Sequence, residues 1–585
     1  MKTTDVRSTL RSRSTLTLFT AVYAGALALG FGLMGCGEAA KSAETDLASN
    51  GAANTKGDSA AGPYGSGSPS SAPAARTNDD STGAIAGAAG GSGLPERDPD
   101  DNDLAAAPRR GGGGGGAAVN DRRDRCEDTT CDADGGECQG NTCVFVCDED
   151  ANECNDREVD CPDNVDCRVE CIDDDVCTAL ITGPNNANLD VQCQENDTCT
   201  AAIDCAGTDS CQVTCEGDDS CSGQFSVDGG NQDVTVDCEG SRTCTGLLKC
   251  GAGGNCDISC SGIDTCTGTI DLRGERANLD CSGDGSCTQA ITYDDNGGIG
   301  DINCTGQDSC AQAITCGVQA LIQTCTVNCT GTNSCKADVN CIAETCNLKC
   351  DDNSCSANVA CGVANGDTLD CSVTCGSDSC DGNTQCNTVD DAGNCTIACN
   401  EVGACGGNVA CDSDEGTCNV NCAADNTCKG TVSTNSQDNG QINCANDGAC
   451  IGAVSCTSDD GTCNINCGNN VVGSCQAAVT CNSDEACILT CNADQGCLGA
   501  VSCTSDANCT IACGGDASCT AAVTCDSGTN CAIDCNGVGA CNAGQNVACT
   551  ADDVCDVDCA ANATCVQQVA CTARDQRNDC PGAAG

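Results

Sequence analysis

Cysteines recur at fixed spacings along most of this chain, and that repeat constrains the fold more than any other feature. The chain of 585 residues has 71 Cys, and all but one of them lie between Cys126 and Cys580. The unit repeats every 22 to 23 residues and holds four cysteines, named here the first, second, third and fourth Cys of a turn. A clear unit late in the chain is Cys509-Thr-Ile-Ala-Cys513, five residues, Cys519-Thr-Ala-Ala-Val-Thr-Cys525, then five residues before Cys531.

Each unit predicts two short strands. Cys509, Ile511 and Cys513 occupy alternate positions, as do Val523 and Cys525, and a period of two is typical of a strand with one buried face. Cysteines and branched aliphatics therefore point inward, and the bends between strands are rich in Gly, Asp, Asn and Ser. We predict an all-β fold for residues 126–580, a flattened, disulfide-stapled β-solenoid of about twenty turns, at roughly 4.8 Å per turn. We predict that residues 581–585 form a short C-terminal tail.

Composition excludes several classes of protein. Aromatic residues make up 1% of the chain and Trp is absent, so aromatic packing cannot fill a conventional core of this length. The chain has no His, which removes the commonest general base and metal ligand. A formal charge of -62 disfavours nucleic acid or anionic lipid as a partner.

The irregular turns indicate how the cysteines pair. In five turns the fourth Cys and the next first Cys are missing together, as between Cys428 and Cys444, and joint loss is expected of bonded partners. We therefore predict bonds from each fourth Cys to the next first Cys and from each second to the third, which pairs all 70 cysteines of the array. Representative pairs are Cys491 with Cys497, Cys503 with Cys509, Cys513 with Cys519, Cys525 with Cys531, and Cys535 with Cys541. The competing scheme joins equivalent cysteines of stacked turns.

The layout resembles the Cys-laced β-solenoids of beetle antifreeze proteins, which also point Cys inward at a spacing of six residues. That resemblance concerns architecture and raises the question of ice binding, which needs a flat and regular outward Thr array. Early turns approach such an array through Thr residues that flank the third Cys, expected to face outward: Thr198, Thr200, Thr243, Thr245, Thr265 and Thr267. Later turns have Ser334 with Lys336 and Gly496 with Leu498 there, which disfavours ice binding.

The N-terminus predicts export. Basic residues precede an apolar stretch from Leu16 to Met34, which ends at Cys36. Leu33, Gly35 and Cys36 match the lipobox, so the chain resembles a bacterial lipoprotein with residues 1–35 as its signal peptide. This resemblance implies cleavage before Cys36, an acyl anchor on that residue and, with Gly following it, delivery to the outer membrane or cell surface.

Residues 36–125 are predicted to be a disordered tether. Six of the nine prolines fall in this segment among Ala, Ser, Gly and Asp, and no apolar periodicity is present. Such a composition cannot bury enough apolar surface to offset chain entropy. The tether would hold the array away from the membrane.

The cysteines and the acidic bends raise the question of two kinds of metal site. Thiolate zinc sites favour Cys pairs two residues apart, whereas the spacings here are four and six, so disulfides are favoured. Calcium prefers oxygen ligands, and acidic turns supply them; the candidates are Asp132, Asp134, Glu137, Asp412 and Asp414. The alternative is that these residues are solvated turns that keep a long solenoid soluble.

These observations favour a role without catalysis and without a required cofactor. The few cations occupy non-equivalent positions, so no acid and base constellation repeats along one face. We expect a cell-surface lipoprotein that presents a rigid acidic rod as a structural or adhesive element. The alternative is a calcium-dependent module that binds extracellular glycan or a protein of a neighbouring cell through one face.

Overall fold

A computed structural model shows an all-β chain whose 40 strands form two sheets. It describes residues 126–578 apart from 127–130, 132–134, 150–153, 156, 228–231, 252, 295–297, 318–321, 363–369, 389–392, 469–471, 543–545 and 560–568. The first sheet contains β1 (Glu137–Gln139), β2 (Thr142–Cys147), β4 (Asp166–Cys171), β6 (Asn188–Cys193), β8 (Ser210–Cys215), β10 (Asp233–Cys238), β12 (Asn255–Cys260), β14 (Arg276–Cys281), β16 (Ile299–Cys304), β18 (Ile322–Cys329), β20 (Ala343–Cys350), β22 (Asp370–Cys375), β24 (Asn394–Cys399), β26 (Cys418–Cys422), β28 (Gly440–Cys444), β30 (Thr462–Cys467), β32 (Ala486–Thr490), β34 (Asn508–Ala512), β36 (Asn530–Cys535), β38 (Val554–Cys559) and β40 (Asp575–Asn578). The second sheet contains β3 (Val159–Asp160), β5 (Ile181–Thr182), β7 (Ile203–Asp204), β9 (Phe225–Ser226), β11 (Leu248–Cys250), β13 (Ile270–Leu272), β15 (Ile291–Tyr293), β17 (Ile314–Cys316), β19 (Val339–Cys341), β21 (Val359–Cys361), β23 (Thr384–Thr388), β25 (Val409–Ser413), β27 (Val432–Ser436), β29 (Val454–Ser458), β31 (Val479–Ser483), β33 (Val501–Ser505), β35 (Val523–Ser527), β37 (Val547–Ala551) and β39 (Val569–Thr572).

Successive turns of the chain contribute neighbouring parallel strands in a constant register. In the first sheet β34, β36 and β38 pair so that Cys509 lies opposite Cys531 and Cys531 opposite Cys555. In the second sheet β33 and β35 place Cys503 opposite Cys525. Even-numbered strands from β2 to β40 and odd-numbered strands from β3 to β39 form two separate ladders. The odd-numbered ladder is open, because β3 pairs only with β5 and β39 only with β37. This alternation confirms the predicted β-solenoid.

The interior is built from cysteines and aliphatic side chains. Along β34, Cys509 and Ile511 are at most 1% exposed, whereas their neighbour Thr510 is exposed. Val523 and Cys525 are buried in the same way on β35. One core therefore runs continuously between the sheets, and the predicted inward positions are correct on these strands.

The bend before the second sheet uses left-handed backbone at two residues. The third Cys has a positive φ in many turns, for example 49° at Cys221, and so does the residue two positions earlier, 58° at Asp219. Asp and Asn tolerate this conformation better than most residues, which explains their frequency at the earlier position. At the Cys it carries a conformational cost on the order of 1 kcal/mol, which its packing and disulfide must offset.

This bend overturns one expectation about the Thr array. Thr198, Thr243 and Thr265 precede the third Cys and were expected to face outward, yet all three are 0% exposed. Because left-handed residues interrupt the strand alternation, these hydroxyls turn inward and donate hydrogen bonds to carbonyls three residues earlier, at 2.8 to 3.1 Å. The early turns therefore lack the paired outward Thr columns that an ice-binding surface requires.

Many aspartates in the bends accept a hydrogen bond from a backbone amide of the following solenoid turn. The backbone N–H of Val538 donates to Asp516 Oδ1 at 2.9 Å, and the N–H of Asp516 donates to Asp494 Oδ1 at the same distance. Asp174 accepts in the same way from the N–H of Asn196 at 3.1 Å. These carboxylates satisfy amides that the sheets leave unpaired, so part of the large acidic content serves the stacking of turns.

Replacing Asp516 with Ala should loosen one bend without unfolding the array. Loss of the acceptor leaves the Val538 amide without its partner, at a cost of about 1 kcal/mol for an exposed site. Hydrogen exchange at Val538 should accelerate by about fivefold, while amides of distant turns keep their protection. Asp506→Ala is the matched control, because the exposed carboxylate of Asp506 makes no hydrogen bond to another described residue. Equal protection of the Val538 amide in both variants would contradict the proposed role of the Asp516 carboxylate.

Candidate functional site

The cysteines form two stacked disulfide ladders inside the solenoid. Between Cys147 and Cys555, described cysteines bond as second to third or as fourth to the next first. The pairs singled out from sequence are all present: Cys491 with Cys497, Cys503 with Cys509, Cys513 with Cys519, Cys525 with Cys531, and Cys535 with Cys541. Equivalent cysteines of stacked turns, such as Cys509 and Cys531, lie opposite each other and bond elsewhere. The structure thus disagrees with the competing scheme.

Five rungs of the fourth-to-first ladder contain other side chains in place of a disulfide. In chain order they are Gly183 with Leu189, Val227 with Val234, Leu272 with Ala277, Tyr293 with Gly300, and Thr434 with Gly440. Tyr293 lies opposite Cys316 and Gly300 opposite Cys325, so the two occupy the places of bonded partners one turn later. A Cβ on Gly300 would lie 2.6 Å from Tyr293 Cε1. At this rung a large residue and a glycine thus share the space that a disulfide otherwise fills.

The N-terminal end departs from the predicted pairing. Here Cys126 bonds Cys138 and Cys131 bonds Cys143, each across 12 residues, whereas the repeat rule joins neighbouring cysteines. The reason is local topology, because β1 folds back antiparallel onto β2. β1 covers the outer edge of β2, which protects an exposed strand edge from further pairing.

The C-terminal end corrects the prediction that every cysteine of the array is paired. Cys571, a fourth Cys in β39, is free, alone among the described cysteines. The pairing rule assigns Cys571 to Cys580, which lies outside the described residues, and the position opposite Cys555 on β40 is occupied by Gln576. Burial, followed by the charge of Asp556, raises the pKa of the Cys571 thiol.

The calcium candidates lie at two places far apart in the chain, before β2 and at β25, and the first place is only partly described. Asp132 and Asp134 lie outside the described residues, and Glu137 is exposed in β1. Asp412 and Asp414 are exposed in β25 and the bend after it, many turns away. Asp412 Oδ1 accepts a hydrogen bond from Asn435 Nδ2 at 2.7 Å, so this carboxylate has a protein partner in the next turn.

The outer face of the first sheet is acidic in its N-terminal half. The acidic face is defined by six acidic residues that point outward on β4 to β16, namely Glu170, Asp190, Asp237, Asp257, Asp280 and Asp301. Arg168 and Arg276 also point outward on these strands. Burial, then the charges of Glu239 and Asp257, raises the pKa of Asp237. In a later turn, burial and the charge of Asp558 raise the pKa of Asp534. Stacked turns therefore hold carboxylates close enough to disfavour one another's charge.

Several cations are engaged by aspartates of neighbouring turns. Arg242 binds Asp219, and this hydrogen bond lowers the pKa of the aspartate. Lys336 Nζ lies 2.6 Å from Asp308 Oδ1 and lowers the pKa of that carboxyl in the same way. These exposed pairs contribute little to stability, and both lie at the bend before the second sheet, where Asp219, Arg242 and Asp308 each stand two residues before a third Cys.

The outer face of the second sheet carries an uncharged column. The neutral column is defined by the first outward residue of each strand from β15 to β39: Thr292, Thr315, Asn340, Ala360, Gln385, Ala410, Ser433, Ser455, Thr480, Ser502, Thr524, Ala548 and Ala570. Strands β23 to β39 carry a second outward residue beside it, which is charged at Asp412 in β25 and at Asp526 in β35. The constant register aligns all of them along one line of the sheet. In a chain with a formal charge of -62, such a run without an ionisable group can be covered by a partner without removing water from a charged side chain.

The described residues line a small internal space and a larger depression on the surface. A small space of about 10 Å³ between Ile203, Val213 and Phe225 has room for about one water molecule. An open depression of about 430 Å³ lies on the second sheet, lined by Thr269, Asp271, Arg273, Thr292 and Asp294 among others. The depression adjoins the start of the neutral column, because Thr292 belongs to both.

The proposed signal peptide, the lipid-bearing Cys36 and the tether lie outside the described residues. Within the described ranges, no helix has the length and apolar character needed to cross a membrane. Comparison with protein-family models, curated proteins and solved structures gives no match for this chain.

Proposed function

We propose that this protein is an exported lipoprotein that presents its disulfide-stapled solenoid at the cell surface as a structural or adhesive element, without catalysis. The observation that carries the proposal is the neutral column, which extends over consecutive strands of a rigid sheet. A stacked, cross-linked solenoid offers a long surface whose residues keep fixed spacings, and this suits contact with an extended partner. Adhesion through such a face requires neither a cofactor nor a pocket.

A second candidate is a calcium-dependent module for extracellular glycan. The depression beside Thr292 favours it, because carboxylates and a guanidinium there offer both acceptors and donors to sugar hydroxyls. The acidic face, which lies on the first sheet and apart from this depression, favours a cation, because a divalent ion would relieve the repulsion that helps to raise the pKa of Asp237. Calcium should then raise glycan affinity, and a chelator should reverse the effect.

The adhesive role predicts that charge on the neutral column abolishes attachment. The triple variant Ser455→Asp, Thr480→Asp and Ser502→Asp places three carboxylates on neighbouring strands of the second sheet. Cells that carry it should attach to one another or to a glycan-coated surface at least tenfold less than cells with the unaltered protein. Attachment is measured by counting adherent cells under flow at equal surface amounts of protein.

The matched control adds the same charge to the opposite sheet in the same turns. Asn464→Asp, Ile488→Asp and Thr510→Asp lie outward on β30, β32 and β34 and should leave attachment unchanged. Equal loss in both triple variants would point to net charge and count against a specific face. A gene deletion that weakens the envelope without changing attachment would favour the structural role.

A further inference from the structure

The described fourth-to-first ladder contains one segment with an odd number of sulfurs. The C-terminal ladder is defined as the bonded pairs Cys456 with Cys463, Cys481 with Cys487, Cys503 with Cys509, Cys525 with Cys531, and Cys549 with Cys555, together with the free Cys571. It begins after the Thr434 and Gly440 rung, which has no sulfur. Gln576 stands at its far end, opposite Cys555. Both ends are therefore defined by residues that cannot form a disulfide.

The free thiol touches the last disulfide of this ladder. Cys571 Sγ lies 2.8 Å from Cys555 Sγ, the sulfur that is bonded to Cys549. Cys571 also lies opposite Cys549 in the register of β37 and β39. Three sulfurs thus lie together at one end of the ladder. They are one free thiol and one disulfide, which are the two groups that thiol–disulfide exchange requires.

Each earlier fourth Cys lies beside the residue that would be its alternative partner. Sγ of Cys549 is 3.9 Å from the carbonyl oxygen of Cys531, and Sγ of Cys525 is 3.8 Å from that of Cys509. Sγ of Cys503 is 3.7 Å from the carbonyl oxygen of Cys487. In each of these turns the fourth Cys therefore contacts the first Cys of the same turn.

We propose that the C-terminal ladder is a thiol–disulfide exchange site, in which the free thiol moves from Cys571 to Cys549 and onward toward Cys456. In the first step the Cys571 thiolate attacks Cys555 Sγ, the Cys571 to Cys555 bond forms and the Cys549 to Cys555 bond breaks. Cys549 leaves with the electron pair and takes up the proton that Cys571 lost. The same step repeats at Cys531, and no oxidant or reductant is consumed because the number of disulfides is constant.

The central ladder shows why the odd count matters. It comprises five pairs from Cys316 with Cys325 to Cys411 with Cys418, and lies between the Tyr293 and Thr434 rungs. Its neighbouring contacts are similar, since Sγ of Cys411 lies 3.6 Å from the carbonyl oxygen of Cys395. With an even number of sulfurs it holds no thiol to start an exchange.

The test is to locate the thiol in the full-length, oxidised protein. After incubation at mildly alkaline pH, the sample is quenched in acid, denatured, alkylated with N-ethylmaleimide and mapped by peptide mass spectrometry. We expect label on Cys571 and on Cys549, with a total near one label per C-terminal ladder. Label on Cys571 alone at all times would overturn the proposal. So would the recovery of Cys571 in a disulfide with Cys565 or Cys580.

Two variants separate exchange from a thiol that is merely exposed. Gln576→Cys supplies the missing partner, so label on both Cys571 and Cys549 should fall at least tenfold; persistent label on Cys549 would overturn the mechanism. Cys418→Ser makes the central ladder odd and should bring label to Cys411 and, by exchange, to Cys386. Label confined to Cys411 would show that stacked rungs do not exchange, and would equally contradict the proposal.

Discussion

Reduction in denaturant should destroy the solenoid, whereas denaturant alone should leave most of it intact. The described residues contain 33 disulfides, and each closes a loop of 5 to 12 residues. A loop of this size contributes about 2 kcal/mol to the free energy of unfolding in the chain-entropy model. The total is not the simple sum over all loops, because neighbouring turns depend on one another. Without its disulfides the core buries little apolar surface, because aromatic residues make up only 1% of the chain. Far-ultraviolet circular dichroism and the half-life under protease measure the loss.

The reduced and alkylated chain should not refold when denaturant is removed. Once the cross-links are lost, the formal charge of -62 opposes compaction, and the Cys, Val and Ile positions bury too little surface to offset chain entropy. Reductant without denaturant is the informative control. Because ladder cysteines such as Cys513 and Cys535 are 0% exposed, reduction of the folded protein should be slow. A reduced chain that kept its strands and its resistance to protease would show that packing alone sustains the fold.

Periodicity made the solenoid predictable from sequence. Alternation around Ile511 and Val523 fixes which side chains face inward, and a one-residue slip would expose the whole set. Joint loss of cysteines pointed to the pairing because an orphan thiol is a liability, and this logic holds wherever the repeat is regular. It fails at the two ends, where β1 reverses direction and Gln576 replaces a Cys.

Other features could not be read from the repeat because they depend on backbone conformation or on stacking between turns. The inward turn of Thr198 follows from left-handed residues beside it, which a strand pattern does not reveal. The role of Asp516 depends on an amide that belongs to the next turn. The neutral column became visible only when the register aligned one residue from each turn, although its members could have been found by comparing the residue before each fourth Cys.

Substitution at Gly300 should be among the most damaging single changes in the core. A leucine there would overlap the ring of Tyr293, whose hydroxyl is held by a hydrogen bond to the carbonyl oxygen of Gly274 at 3.0 Å. Overpacking of a dense core costs about 3 kcal/mol, and the stacked turns leave little room to relax. Gly300→Leu should therefore lower the midpoint of unfolding and increase protease cleavage near β15 and β16. Asp301→Leu is the control, because Asp301 points outward on the same strand.

The double variant Tyr293→Cys with Gly300→Cys tests directly whether Tyr293 and Gly300 fill the space of a disulfide. These positions lie opposite Cys316 and Cys325, which form a disulfide one turn later, so the new cysteines should bond as the regular repeat does. We expect the double variant to retain or exceed the original stability, since a closed loop of this size contributes about 2 kcal/mol. Gly300→Cys alone should be destabilising, because its side chain meets the Tyr293 ring. Two free thiols in the folded double variant, detected by alkylation, would show that this rung is shaped for Tyr and Gly and is not a disulfide site that was lost.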